Sequence, residues 1–127
     1  MISDRSIIWK RGEELASEHL RNLGHQIVAR NWRSSHLELD IVSLEGGILH
    51  IVEVKSREVP SSSAPEEAVG PVKQKKLVAA AKAFLNSKDR KPLPEDLEIW
   101  FDVITVLIDG PDYEIEYYPQ AFIPIYA

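Results

Sequence analysis

The sequence predicts a mixed α/β fold, one β-sheet of about five strands with helices packed on it. Three observations carry that prediction. Hydrophobic residues recur with helical spacing in two segments, 4–23 and 72–87. Between them lie short alternating runs, two of which are joined through Gly46-Gly47, a strong hairpin signal. The run IWFDVITVLI (99–108) is almost continuously apolar, as expected of a strand buried on both faces.

The elements follow in order. Residues 4–23 place Ile8, Trp9, Leu15, Ala16, Leu20 and Leu23 on one stripe, and Gly24 supplies the stop. QIVARNW (26–32), residues 37–44 and residues 48–55 read as strands. PSSSAPEEAVGP (60–71) reads as a flexible loop rich in turn formers. VKQKKLVAAAKAFLNS (72–87) reads as a helix packing through Leu77, Ala80, Ala81 and Phe84, and KDRKPLPED as a linker. After strand 99–108, Asp109-Gly110-Pro111-Asp112 turns the chain into an alternating edge strand, YEIEYY. The C-terminal tail, 119–127, is apolar but broken by Pro119 and Pro124. Phe122, Ile123, Ile125 and Tyr126 either cover the core or form a dimer contact. The order is α-β-β-β-α-β-β, a layered architecture around one sheet.

A chain of 127 residues suits a single domain, 1–127, with one core. There are no cysteines, which removes disulfides, thiolate metal sites and thiol nucleophiles together and suits a reducing compartment. The N-terminal segment has no signal-peptide apolar region, and no stretch approaches the roughly 18 to 20 apolar residues of a membrane span. A soluble cytoplasmic protein with no membrane partner is expected. The net charge of −5 and pI of about 5.4 count against a nucleic-acid partner. The charge is uneven, however. Lys73 to Lys91 carries seven basic residues against Asp89 alone, and Glu95 to Glu116 carries eight acids and no Lys or Arg. Local distribution governs binding more than the sum does; a solvated helix face beside an acidic edge is the plain alternative.

The hairpin poses a chemical problem. If Glu45 pairs with Ile48 across the glycines, counting back sets Asp40 opposite Glu53 and Glu38 opposite Lys55, all four on one side. Glu38 and Lys55 are then an ordinary ion pair. Asp40 and Glu53 are like charges with Cβ atoms about 5 Å apart, which destabilises a hairpin. A shared proton, Lys55 reaching across to Asp40, or a divalent cation bridging both carboxylates would offset the cost. An exposed face with solvated charges is the bland reading, and the central character of strands 48–55 and 99–108 argues against it.

Other side chains extend the constellation. At 100° per residue Glu13 lies on the rim of the first helix's apolar stripe, where it leans over the sheet or merely reaches solvent. Lys73, one turn before Leu77, reaches the same region and phosphate, or packs its stem with its head in water. Arg57 continues the face of Glu53 and Lys55 and either grips a backbone phosphate or pairs with an acid; Arg30 and Arg33 flank Trp32 and either add phosphate contacts or are solvated strand-end charges. The four histidines, His19, His25, His36 and His50, show no metal-ligand spacing, and His50 reads as packing on the face away from Glu53. No Ser/His/Asp arrangement and no phosphate-cradling glycine loop is present.

Asp40 followed by Glu53-Val54-Lys55 resembles the PD-(D/E)xK nuclease signature, with Leu39 in place of the leading proline. The ordered set GEELASEHLRNLGHQIVARNWR (12–33), ELD, EVKSR and FDV resembles the bacterial YraN family of small endonuclease-like proteins and, more distantly, archaeal Holliday junction resolvases. The resemblance runs from Gly12 to about Phe122. It implies a restriction endonuclease-like fold and nucleic-acid binding. It points to Asp40, Glu53, Lys55 and Glu13, with Lys73 as the helix-borne basic residue. Asp40, Glu53 and the Val54 carbonyl, with Glu13 through water, would then hold Mg²⁺ or Mn²⁺, and Lys55 would position the attacking water. So small a chain has little surface for reading base edges, so structure-selective cutting of branched DNA is expected, with a homodimer as one arrangement. A non-catalytic nucleic-acid-binding or scaffold protein and a purely structural module with an ion-pair network are the alternatives.

Overall fold

A computed structural model describes residues 4–60 and 68–124. The chain runs α1 (Asp4–Asn22), β1 (Gln26–Ser34), β2 (Leu37–Glu45), β3 (Ile48–Glu58), α2 (Pro71–Leu85), a 3₁₀ turn (Lys88–Arg90), β4 (Glu98–Asp109) and β5 (Asp112–Phe122). This is the α-β-β-β-α-β-β order read from the sequence. The five strands lie in one sheet in the order β1-β2-β3-β4-β5. Only β3 and β4 pair in parallel, and α2 makes the crossover between them.

The two helices cover opposite faces. Ala16 and Leu20 of α1 pack with Ile41, Val52, Val54, Ile104, Val106 and Ile108. Leu77, Ala80, Ala81 and Phe84 of α2 pack with Val42, Leu49, Ile51 and Phe101. Side chains alternate along a strand, so β3 sends Leu49, Ile51, Glu53 and Lys55 toward α2 and His50, Val52 and Val54 toward α1. Among the described residues no helix is long and apolar enough to cross a membrane.

Local chemistry sets the element ends. Helix α1 closes with Gly24 at φ +94°, its N–H bonded to the Arg21 carbonyl and that of His25 to the Leu20 carbonyl. That is a Schellman end, which needs the left-handed residue glycine supplies. Gly46 and Gly47 both take positive φ, +56° and +78°, as a two-residue type I′ turn demands, and Glu45 pairs with Ile48. Helix α2 opens on Pro71 after Gly70, a first-turn proline whose missing N–H costs nothing.

Strand β5 outruns its expected end. The alternating pattern predicts that it ends before Pro119 and that 119–127 is a tail, but pairing resumes at Phe101↔Phe122 after an irregularity between Phe101 and Val103. The extra residues of β5 form a bulge, where proline is tolerated. The Gln120 N–H within it donates to Asp102 Oδ1 at 2.9 Å. Phe122 stacks on Phe101 with ring centroids 5.0 Å apart, covering the core, while Ile123 is exposed. Most of the expected 60–71 loop, and Ile125 and Tyr126 of the tail, lie outside the described residues.

Candidate metal and nucleic-acid site

The pairing of β2 with β3 runs from Glu45↔Ile48 to Ile41↔Val52 and goes no further. Beyond that point β2 stays paired with β1 as far as Leu37, and β3 with β4 as far as Glu58. The sheet therefore opens between its second and third strands, and Asp40 is the first residue of β2 past the opening. Its Oδ2 accepts from the Val54 N–H at 2.9 Å, taking the place of a ladder bond. In a strand the N–H and C=O of one residue point the same way, so the Val54 carbonyl also faces this opening.

Glu53 meets Asp40 there. Burial, a side-chain hydrogen bond to Glu53 and the Glu53 charge push the Asp40 carboxyl up to about 8, against the Val54 N–H, which favours the charged form. Two carboxyls in contact share a proton, so this titration belongs to the pair. Glu53 is 12% exposed in its side chain and receives Lys73 Nζ at 3.3 Å from α2. Glu13 approaches from the other face. It is 1% exposed and near enough to raise the Asp40 pKa further. The sequence placed it on a rim; α1 packs so closely that the carboxylate is fully covered. The close packing comes from Gly12, where a Cβ would stand 1.8 Å from Ser56 Oγ and 2.8 Å from Ser56 Cβ.

Burial raises the Glu13 pKa, and Arg30 beside it counteracts that. Arg30 Nε lies 3.5 Å from Glu13 Oε1, and its Nη1 donates to Glu14 Oε2 at 2.9 Å. Both Glu13 oxygens nevertheless lack a well-formed hydrogen bond among the described residues. Arg30→Leu should thus leave a covered carboxylate facing no cation. A loss of about 1–3 kcal/mol in urea unfolding is expected, most of it recovered by adding Glu13→Gln.

One expectation is corrected. Glu38 does not pair with Lys55. Because β2 turns away from β3, Glu38 lies opposite Arg33 on β1, with Oε2 3.5 Å from Arg33 Nε. Lys55 Nζ instead donates to the Ala68 carbonyl, just before α2, at 2.5 Å. Arg57 is exposed at the end of β3. Lys73 also lines a shallow cleft with His36, Leu37, Glu38, Lys76 and Leu77. Trp32, between Arg30 and Arg33, is tied inward, edge-on to Phe84 and donating its indole N–H to Asp89 Oδ2 at 2.9 Å.

The stretch from Gly12 to Val106 spans every group just described, and over residues 12–106 it matches the family described as "Uncharacterised protein family UPF0102". The chain belongs to this family. A UPF0102 protein of Flavobacterium johnsoniae is 33% identical over 121 residues, 95% of this chain and 98% of that one. UPF0102 proteins of Bacteroides fragilis and Bacteroides thetaiotaomicron are 36% and 37% identical over 123 residues, each match covering 97% of this chain and 98% of the relative. The likeness to UPF0102 is therefore end to end, as expected of the family resemblance read from residues 12–33, ELD, EVKSR and FDV.

The oxygens at the opening fit a hard divalent cation. Asp40, Glu53 and the Val54 carbonyl supply oxygen donors from two strands, and Glu13 adds a covered carboxylate, with Arg30 Nε 3.5 Å from its Oε1. Burial and the neighbouring Glu53 carboxylate, which push the Asp40 carboxyl up to about 8, are what a bound cation would offset.

Proposed function

We propose that this UPF0102 protein is a metal-dependent nucleic-acid phosphodiester hydrolase, selective for branched DNA structure rather than sequence. The observation that carries the reading is the contact between Asp40 and Glu53 at the place where β2 and β3 part. A bulk-accessible ion pair would need no such arrangement; a shared oxygen cradle for Mg²⁺ or Mn²⁺ does. When bound, the cation supplies Lewis acidity toward a phosphoryl oxygen and lowers the pKa of water.

The chain's own groups do the rest. Asp40 and Glu53 hold the cradle, the Val54 carbonyl completes its edge, and Glu13 orders water from the α1 side. Lys55 leaves the Ala68 carbonyl to orient the attacking water and to offset negative charge developing on the phosphoryl group. Lys73 and Arg57 hold the flanking phosphates, and Arg33 extends the track along β1. Arg30, fixed between Glu13 and Glu14, steadies Glu13 more than it meets substrate.

A second reading is a nucleic-acid-binding scaffold without catalysis. The hydrogen bond from Lys55 to the Ala68 carbonyl favours it, because that bond must be given up before the ammonium can serve a reacting water. One assay separates the two. The purified protein is incubated with junction, flap, single-stranded and duplex substrates, in Mn²⁺ and in EDTA, beside Lys55→Ala. Cleavage near branch points in Mn²⁺ only, slowed about 100-fold or more in the variant, is expected. Equal cleavage by wild type and Lys55→Ala would assign the activity to a contaminant. Salt-sensitive binding without any cleavage would favour the scaffold.

A further inference from the structure

On the α1 face of the sheet, three residues from Glu53 along β3 and on the opposite side of the strand, two imidazoles and a carboxylate converge. His25 follows the Schellman end of α1, Glu45 precedes the hairpin glycines, and His50 lies two residues into β3. One ligand atom from each comes within 4.8 Å of the other two. The two rings stand 4.4 Å apart between centroids. His50 is 2% exposed, and its Nε2 has no hydrogen-bond partner among the described residues. That nitrogen points toward Glu45, with Oε2 3.8 Å away.

The Nδ1 nitrogen of each ring is already held. His50 Nδ1 donates to Asp102 Oδ2 at 2.6 Å, and Tyr117 Oη donates to the same oxygen at 2.5 Å. The Gln120 N–H takes Asp102 Oδ1, so this covered carboxylate is fully engaged. His25 Nδ1 is hydrogen-bonded to Ser43 Oγ at 2.9 Å. A carboxylate on Nδ1 fixes the tautomer of His50 that leaves Nε2 as a lone pair, the usual arrangement behind a metal-binding histidine.

We propose that His25, Glu45 and His50 form a second metal site, for a borderline divalent transition cation of the zinc class. Two imidazole nitrogens and one carboxylate oxygen suit Zn²⁺ rather than the Mg²⁺ or Mn²⁺ that an all-oxygen set selects. Bonds of about 2.0–2.1 Å put ligand atoms in a tetrahedral shell roughly 3.3 Å apart, so the cluster must contract. Glu45, half-exposed beside the turn, is the ligand free to move. Three protein ligands leave a fourth position for water or another donor. Such an ion would tie the α1–β1 connection to the β2–β3 turn, with Asp102 and Tyr117 behind it from β4 and β5.

The test uses the full chain, stripped with EDTA, dialysed, and titrated with zinc by calorimetry. Cobalt(II) is added in a parallel titration read by its visible absorption. Wild type and Asp40→Asn should each bind one equivalent of zinc, with intense cobalt bands, undisplaced by excess Mg²⁺. Glu45→Gln, at an exposed turn and with an unchanged circular dichroism spectrum, should weaken binding at least about 10-fold. His25→Ala should abolish the cobalt bands. No zinc binding by wild type would overturn the proposal. Binding unaffected in both Glu45→Gln and His25→Ala, or lost in Asp40→Asn, would overturn it too, by placing the ion elsewhere.

Discussion

Asp40→Asn is expected to raise the melting temperature of the metal-free protein at pH 8 by a few degrees, and to remove the stabilisation that Mg²⁺ or Mn²⁺ gives wild type. Both effects come from one contact. In wild type burial and the Glu53 carboxylate push the Asp40 carboxyl up to about 8, whereas an unfolded Asp loses its proton near 3.8. Between those values the folded chain binds more protons than the unfolded one, so stability falls as pH rises and levels off above about 8. An asparagine keeps an oxygen for the Val54 N–H and offers an N–H to Glu53, so the pH slope flattens and the penalty disappears. It also removes a ligand charge. A cation at about 100 times its Kd contributes about 2.7 kcal/mol, which for a chain of this size is a rise of about 5–10 °C. Wild type should show that rise, and show it more strongly at pH 8 than at pH 6, because the cation must displace the proton. Differential scanning fluorimetry at the two pH values with and without Mn²⁺ checks all four corners; equal metal shifts in wild type and Asp40→Asn would exclude the cradle.

Gly12→Ala should be the most damaging small substitution in the chain. Alanine is the better helix former, so propensity alone predicts a gain of up to about 1 kcal/mol. The added Cβ meets Ser56 Oγ at 1.8 Å and Ser56 Cβ at 2.8 Å, and rotating the hydroxyl away leaves the second clash intact. Helix α1 must therefore lift from β3. A net loss of about 2–3 kcal/mol is expected in urea unfolding, with Glu13 drawn away from Asp40 and metal stabilisation reduced. Ser56→Gly in the Gly12→Ala background removes both contacts and should restore most of the loss. Ser56→Ala should restore little. If the two rescues are equal, the clash lies with the hydroxyl and the helix is not displaced.

Much of this was readable from residue order. Gly46-Gly47 sets the hairpin register, which places Asp40 with Glu53, whereas the 100° helical step puts Glu13 only on the rim of the apolar stripe, and the packing of α1 is what covers it. What could not be read was where strands stop pairing. A register counted from a turn continues on paper through Glu38 and Lys55; in the fold β2 leaves β3 after Ile41, so Glu38 finds Arg33 instead. Pro119 looked like an ending, yet the bulge and the Asp102 carboxylate carry β5 past it. The His25–Glu45–His50 cluster has no linear signature, because a helix end, a turn and a parallel strand bring its members together. The one local hint was an aspartate, Asp102, inside an otherwise apolar run.

The substitution of a carboxylate for a strand partner at Val54 has a spectroscopic consequence. The amide proton of Val54 is aimed at a group whose charge changes with pH and with bound cation. Its ¹H and ¹⁵N resonances should move downfield as the pair ionises and shift again on adding Mg²⁺, while Ile51, paired with Val42 in the unbroken part of the ladder, stays still. One backbone peak of ¹⁵N-labelled protein thus reads the occupancy of the opening in the sheet without any substrate.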